Sequence, residues 1–365
     1  MNSKVKQILI VSNEPWGDVW FSKQHYAYEL SKLGHQVYFI NPTRKWSWGN
    51  IFSCKVNYTK SSYENITIVN YKNNFPQTIL KKIFTQVNDF FNCIKLNRYV
   101  KLNDSNLIWW KFEPYRFLSS ILSKKSKHIY HAVDSYNFLW QDEYQVSSAD
   151  LIICTNPKYI DYYTTNYIDK NIIQIPHGIS EDEFENNQDE IDLIKEQFGD
   201  FVILIGSLSK DIDLALLRKI AETNIRIVVI GPEVAKIEEW ERLKDLTNVI
   251  YLGEIHAKKI KNYIAASKVG LVAYKFKKIV DKNSRTPLKI INYLAQNKPV
   301  ITSLKTPLSL LEKKAIYSAE TIEEYVFLVE KAIQNQLFID EEKIKEYLDN
   351  HKYPNLINQI FNQLY

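Results

Sequence analysis

Short apolar runs alternate with amphipathic stretches along nearly the whole chain, and that alternation leaves few folds open. QILIVS is followed by the helical pattern SKQHYAYELSKLG and then by HQVYFINP; NLIWWKF, HIYHAVD, DLIICTN and NIIQIPHG continue the series. After Gly178 the acidic stretch ISEDEFENNQDEIDLIKEQFGD intervenes. The series then restarts with FVILIGS, a helical stretch from Leu214 to Ala221, IRIVVIGP, NVIYLGE, VGLVAY and KPVITS. Each run of βα units predicts a doubly wound parallel sheet. The expected fold class is therefore α/β, with two Rossmann-like domains: residues 1–178, residues 179–345, and a strandless tail, 346–365, whose helix returns to the first domain. Such sheets bind ligands outside the carboxyl ends of their strands. Two of them facing each other make a cleft with one ligand per domain.

Several function classes are disfavoured at once. Neither half contains GxGxxG or GxxxxGK[ST], which speaks against a dehydrogenase and a P-loop ATPase. Cys54, Cys93 and Cys154 are odd in number and far apart, so they suggest neither a disulfide framework nor a zinc knuckle, and a reducing compartment is expected. The opening MNSKVKQILIVSNEPW is too briefly apolar for a signal peptide, and no run approaches the roughly 18 apolar residues of a spanning helix. A cytoplasmic protein, soluble or bound to a membrane surface, is the expectation. The net charge of +5 is unevenly spread, because residues 44–127 hold fifteen Lys or Arg against four acids. One face of the first half should be basic and suit nucleic acid, anionic membrane or an anionic substrate.

The stretch NSRTPLKIINYLAQNKPVITS, residues 283–303, reads as a helix followed by a buried strand. Thr286 is placed to cap the helix with Pro287 at its first position, which leaves the amides of Leu288 and Lys289 free. Those amides, the helix dipole and the charges of Arg285 and Lys289 would cradle a diphosphate without a glycine loop. Asn292 follows Lys289 by one helical turn and can reach the same ligand. An ordinary capped helix with solvated basic residues is the competing reading.

NVIYLGEI, ASKVGLVAY and PLKIINYLAQNKPVI together resemble the donor-binding half of GT-B glycosyltransferases that assemble bacterial polysaccharides, such as the glucuronosyltransferase of xanthan assembly. The resemblance implies a UDP-sugar donor contacted by Glu254, Tyr274, Leu288, Lys289 and Asn292. At two of these positions the pattern has Met and Gln where this chain has Leu288 and Asn292. Glu254 would bond ribose or sugar hydroxyls, while Tyr274 would pack on the nucleotide or merely close a strand end. The loop GSLSK, with Ser207 and Leu208, is expected to run beside the phosphates or the sugar. No metal or other cofactor is expected, since a helix end and cations neutralise the departing diphosphate. The Asp-x-Asp of KDID, Lys210 to Asp213, precedes a helical pattern and reads as a cap.

Retaining enzymes of this fold usually carry a pair of glutamates, whose positions fall here on Ser284 and Asn292. That favours inversion, in which a first-domain side chain deprotonates the acceptor hydroxyl as it attacks C1 opposite the diphosphate. Asp134, at the carboxyl end of the strand in HIYHAVDSYNFLW, is the expected base, with a helix N-cap as its alternative role. His131 and Glu113 stand in reserve, and His25 lines the cleft or is structural. The implied acceptor is a lipid-linked oligosaccharide or a polysaccharide.

Within the basic half, Trp46 and Trp48 adjoin Arg44 and Lys45, and Ile79, Leu80, Ile83, Phe84, Val87, Phe90, Phe91 and Ile94 recur at near-helical spacing among lysines. Such a stripe either lies in a membrane interface or packs on the domain core. Rival readings are a retaining transferase, a nucleotide-sugar epimerase needing no acceptor, and, least favoured, a nucleic-acid binder that would ignore UDP.

Overall fold

The computed structural model describes residues 5–43, 46–77, 81–118, 121–276, 287–304 and 311–365. The chain divides into two compact units, one comprising residues up to Pro176 together with Pro354–Tyr365 and the other His177–Tyr353.

In the first unit β1 (Gln7–Val11), α1 (Ser22–Lys32) and β2 (Gln36–Ile40) lead to a hairpin of β3 (Val56–Lys60) and β4 (Ile66–Tyr71). There follow α2 (Lys81–Asn97), β5 (Leu107–Lys111), β6 (Lys127–Ala132), α3 (Trp140–Ser148), β7 (Leu151–Cys154), α4 (Pro157–Asn166) and β8 (Ile172–Gln174). The eight strands lie in the order β3-β4-β2-β1-β5-β6-β7-β8, parallel except for β3. The central strand β5 is buried along its whole length, as a strand covered on both faces must be. The edge strand β3 buries only its first residue and presents Lys60, a charge that discourages pairing with another chain. The β3–β4 hairpin was not among the strands read from the sequence.

In the second unit α5 (Gln188–Phe198) occupies the acidic stretch, followed by β9 (Phe201–Ile205), α6 (Leu214–Glu222), β10 (Arg226–Ile230), α7 (Glu238–Lys244) and β11 (Val249–Tyr251). The unit continues through α8 (Ala257–Ala266), β12 (Val269–Val272), α9 (Leu288–Ala295), β13 (Val300–Thr302), β14 (Ile316–Ser318), α10 (Ile322–Ile333) and α11 (Glu341–Asn350). Its six strands are all parallel, in the order β11-β10-β9-β12-β13-β14. Apolar clusters cover both faces of this sheet.

The last helix, α12 (Tyr353–Leu364), belongs to the first unit from Pro354 onward. Phe361 meets His35 and Trp110 there, and Gln363 accepts a bond from Asn171 at 2.8 Å. A boundary at residue 346 would fall inside α11.

Three local expectations are corrected. Pro287 is the cap residue of α9, with no side-chain cap bond, and Leu288 opens the helix; Thr286 lies outside the described residues. Asp134 is not a helix cap, because α3 starts at Trp140 behind Leu139. The apolar stripe of α2 is mostly not packed on the core: the helix's buried residues are mostly polar, Phe84 and Val87 are half-buried, and Ile83, Phe90, Phe91 and Ile94 face outward. Ile79 and Leu80 lie outside the described residues. The capping role read for KDID holds, since Asp213 accepts from Leu216 N at 3.1 Å.

Candidate functional site

In the second unit the strand order reverses between β9 and β12, and a crevice forms at such a switch point beyond the strand ends. Three glycines with positive φ end the neighbouring strands: Gly206 after β9, Gly231 after β10 and Gly253 after β11. Gly231 is required by packing as well as by φ, since a Cβ there would collide with the Gly206 carbonyl.

Helix α9 is set over this edge by Tyr293. Its ring lies flat against Gly270 of β12, where no Cβ fits. Its hydroxyl accepts from Ile205 N at 3.0 Å and donates to the Leu271 carbonyl at 3.1 Å. That clamp fixes the helix start one turn earlier. Lys289 Nζ comes to 3.1 Å from where a Cβ of residue 206 would stand, and lies 5.3 Å from the Tyr274 ring centroid. Among the described residues no carboxylate pairs with Lys289. The first amides of any helix lack intrahelical acceptors, and Pro287 supplies no cap. Cation, open helix start and glycine floor therefore converge beside Ser207.

Tyr274 is held by Ser303, whose hydroxyl accepts from Tyr274 N at 2.9 Å and donates to its carbonyl at 2.7 Å. Glu254 stands exposed past Gly253, and Asn292 is half-buried on α9. Leu208 is a correction: its side chain is in the core, and its backbone is spent on Pro232 and Val234. Leu288 is half-buried at the helix start, and Arg285 lies outside the described residues.

The first sheet reverses between β1 and β5, and carboxylates follow three adjacent strands: Glu14 after β1, Glu113 after β5 and Asp134 after β6. Their environments differ. Glu14 pairs with the buried Lys23. Glu113 is fully buried, takes Arg116 Nε at 2.7 Å and also accepts from Tyr115 N, so both oxygens are occupied. Arg116 in turn donates to the carbonyls of Ser12 (2.6 Å) and Asn41 (2.8 Å) and to Tyr71 Oη (2.8 Å), tying together the ends of β1, β2 and β4. A carboxylate so engaged is a brace for the edge, which removes Glu113 as a reserve base.

Asp134 is exposed. Burial raises the hydroxyl pKa of Tyr115 and Tyr136, and the charges of Glu113, Asp134 and Glu14 raise both further. The two rings meet at 6.1 Å. Sequence reading missed this pair; its signal is a tyrosine two residues after Glu113 and after Asp134, in EPY and DSY. His131 is fully buried, accepting from Trp110 Nε1 at 3.2 Å and stacked on Phe112 at 4.7 Å. It is a core residue and does not line a cleft. His25 is likewise buried, its ring edge-on to Trp20. No group of His, Cys, Asp and Glu among the described residues is arranged to hold a metal.

No family model matches the chain. It is 23% identical over 180 residues to the putative teichuronic acid biosynthesis glycosyltransferase TuaH of Bacillus subtilis, a match covering 47% of this chain and 45% of that protein. Among solved structures, sucrose-phosphate synthase from Thermosynechococcus elongatus superposes with a TM-score of 0.68 at 13% identity, over 98% of this chain and 99% of that one. Anabaena HepE, solved with UDP and glucose, gives 0.67 at 12% identity, over 98% and 99% of the two chains. With its 8-stranded and 6-stranded sheets, each wound both ways from a switch point, the chain has the GT-B fold of glycosyltransferases.

Proposed function

We propose that the protein transfers a sugar from a UDP-sugar to a saccharide acceptor, lipid-linked or polymeric, on the cytoplasmic side of the membrane. The observation that carries this reading is Lys289, an ammonium without a carboxylate partner among the described residues, set with an open helix start over Gly206. A diphosphate seated there gains both the formal charge and the helix dipole. That pair supplies the leaving-group stabilisation for which other sites use a metal, so turnover is expected to persist in chelator. HepE was solved with UDP and glucose, which supports the donor class. TuaH is named for teichuronic acid biosynthesis, which supports a polysaccharide context.

Tyr274 packs against the nucleotide side of the site and Glu254 takes hydroxyls. Asp134 accepts the proton of the acceptor hydroxyl as its oxygen forms the bond to C1; the bond from C1 to the diphosphate breaks and UDP departs. Displacement from opposite the leaving group inverts the anomeric centre. Of the candidate bases, Asp134 is favoured because Glu113 and His131 are buried and engaged whereas Asp134 is exposed.

Calorimetric titration with UDP tests the donor half: binding that survives chelator and weakens about tenfold or more in Lys289→Ala is expected. No UDP binding would overturn it. With a donor in hand, Asp134→Asn should bind normally and lose turnover, and the anomeric configuration of the product reports inversion.

A further inference from the structure

Helix α2 turns most of its apolar residues away from the core. Its inward side joins the core through Cys93 and Leu96 but otherwise carries Thr85, Asn88, Asp89, Asn92 and Lys95, all buried. They are not stranded: Asn88 exchanges two 2.9 Å bonds with the backbone of Phe75, and Asn92 donates to Asn73 Oδ1 at 2.9 Å. Asp89 accepts from Leu118 N at 2.9 Å, and Lys95 Nζ donates to the Lys72 carbonyl at 2.8 Å. These bonds fix the rotation of the helix. Its apolar side is thereby turned to solvent, with Ile83 55% and Phe90 53% exposed beside Phe91 and Ile94.

A neighbouring turn extends the surface. Trp48 is 79% exposed and Phe52 93%. Their segment is tied down by Asn74, which donates to the carbonyls of Asn50, Ile51 and Ser53 and accepts from Trp46 Nε1 through its own carbonyl. Asn74 adjoins Phe75, which α2 holds. An apolar area of this kind on a monomer marks something that covers it.

Charge identifies the cover. From residue 81 to residue 101 the one carboxylate is Asp89, which is buried, whereas Lys81, Lys82, Arg98 and Lys101 are exposed. A second copy of this chain meeting the face about a twofold axis would bring like charges together. We propose that this face docks on an anionic bilayer surface, with Phe90, Phe91, Trp48 and Phe52 entering the interface and the cations meeting lipid phosphates. The inference stands apart from the transfer reaction and does not depend on Lys289 or Asp134.

Vesicle flotation of the whole chain tests it, using phosphatidylcholine alone and with about 30% phosphatidylglycerol. The expected result is partitioning at least about tenfold stronger on the anionic vesicles, falling with added salt. Phe90→Ser with Phe91→Ser should lower it about tenfold or more while leaving the Tm and UDP binding unchanged. Should that variant misfold, Lys81→Ser with Lys82→Ser on the exposed first turn must show the loss. Failure to float on either vesicle overturns the proposal, as does flotation that these substitutions leave intact. Self-association in light scattering that the Phe pair abolishes would assign the face to a second copy instead.

Discussion

Lys289 and Gly206 constrain each other, and the pair shows what one residue contributes. Gly206 has φ 108°, and its Cα faces Lys289 Nζ across the space a methyl group would fill. Gly206→Ala should therefore cost about 1–3 kcal/mol of stability through backbone strain and weaken UDP binding by displacing the ammonium; a variant with wild-type Tm and affinity would refute the contact. A second residue governs acid sensitivity. Burial, helped by Lys111, depresses His128 from its usual value to about 3. Between pH 6.5 and 3 the unfolded chain binds the proton and the folded chain does not, so this group costs stability as pH falls, with a slope approaching about 1.4 kcal/mol per pH unit. Asp89 acts oppositely: burial raises it to about 7, so the folded form gains from protonation between pH 7 and 3.8. The difference between wild type and His128→Gln isolates the histidine, and the variant's Tm should fall less steeply from pH 6.5 to 4. The helix that carries Lys289 near its start was legible in the sequence to within one residue, because a helix start is a local signal. That Leu208 and His131 are buried was not, because burial is decided by strands far away in sequence.

At the scale of elements, a single side chain sets α9. Tyr293 bridges Ile205 N and the Leu271 carbonyl and rests on Gly270, thereby linking the helix to β9 and β12 at once. Tyr293→Phe keeps the ring and leaves a buried N–H and a carbonyl less satisfied. The expected cost is about 1–3 kcal/mol in thermal or urea unfolding, with weaker UDP binding because the first turn loses its anchor. Unchanged stability would show that the hydroxyl carries no load. The strands of both sheets were legible wherever they were continuous apolar runs, as in QILIV and FVILI. The hairpin VNYTK and ITIVNY was not, because at the edge of a sheet only part of each strand is buried and polar residues dilute the pattern. The rotation of α2 was also hidden: periodicity shows that a helix has two sides and says nothing about which one faces inward. Asn88 and Asn92 decide that through tertiary hydrogen bonds.

The whole molecule is defined by a chain that leaves the first unit after Pro176 and re-enters it at Pro354. Read from sequence, the restart of the strand series after Gly178 revealed the fold class, and the strandless tail pointed to a helix returning to the first domain; which residues it meets there depends on contacts a linear pattern does not contain. The returning helix buries Leu356, Ile357, Ile360 and Leu364 and places Phe361 against His35 and Trp110. Burying an aliphatic side chain of this size contributes about 1.5–3 kcal/mol, so the four together supply about 6–12 kcal/mol, comparable to the total stability of a domain. A chain ending at Tyr353 keeps the tyrosine that packs on Gly178, and with it every described donor-side residue from Ser207 to Asn292. That chain should lose the cooperative unfolding of the first unit in scanning calorimetry and still bind UDP within a few-fold of the full-length value. Loss of UDP binding with both transitions intact would mean that the donor site draws on residues beyond Tyr353, and the assignment of that site to the second unit alone would have to be abandoned.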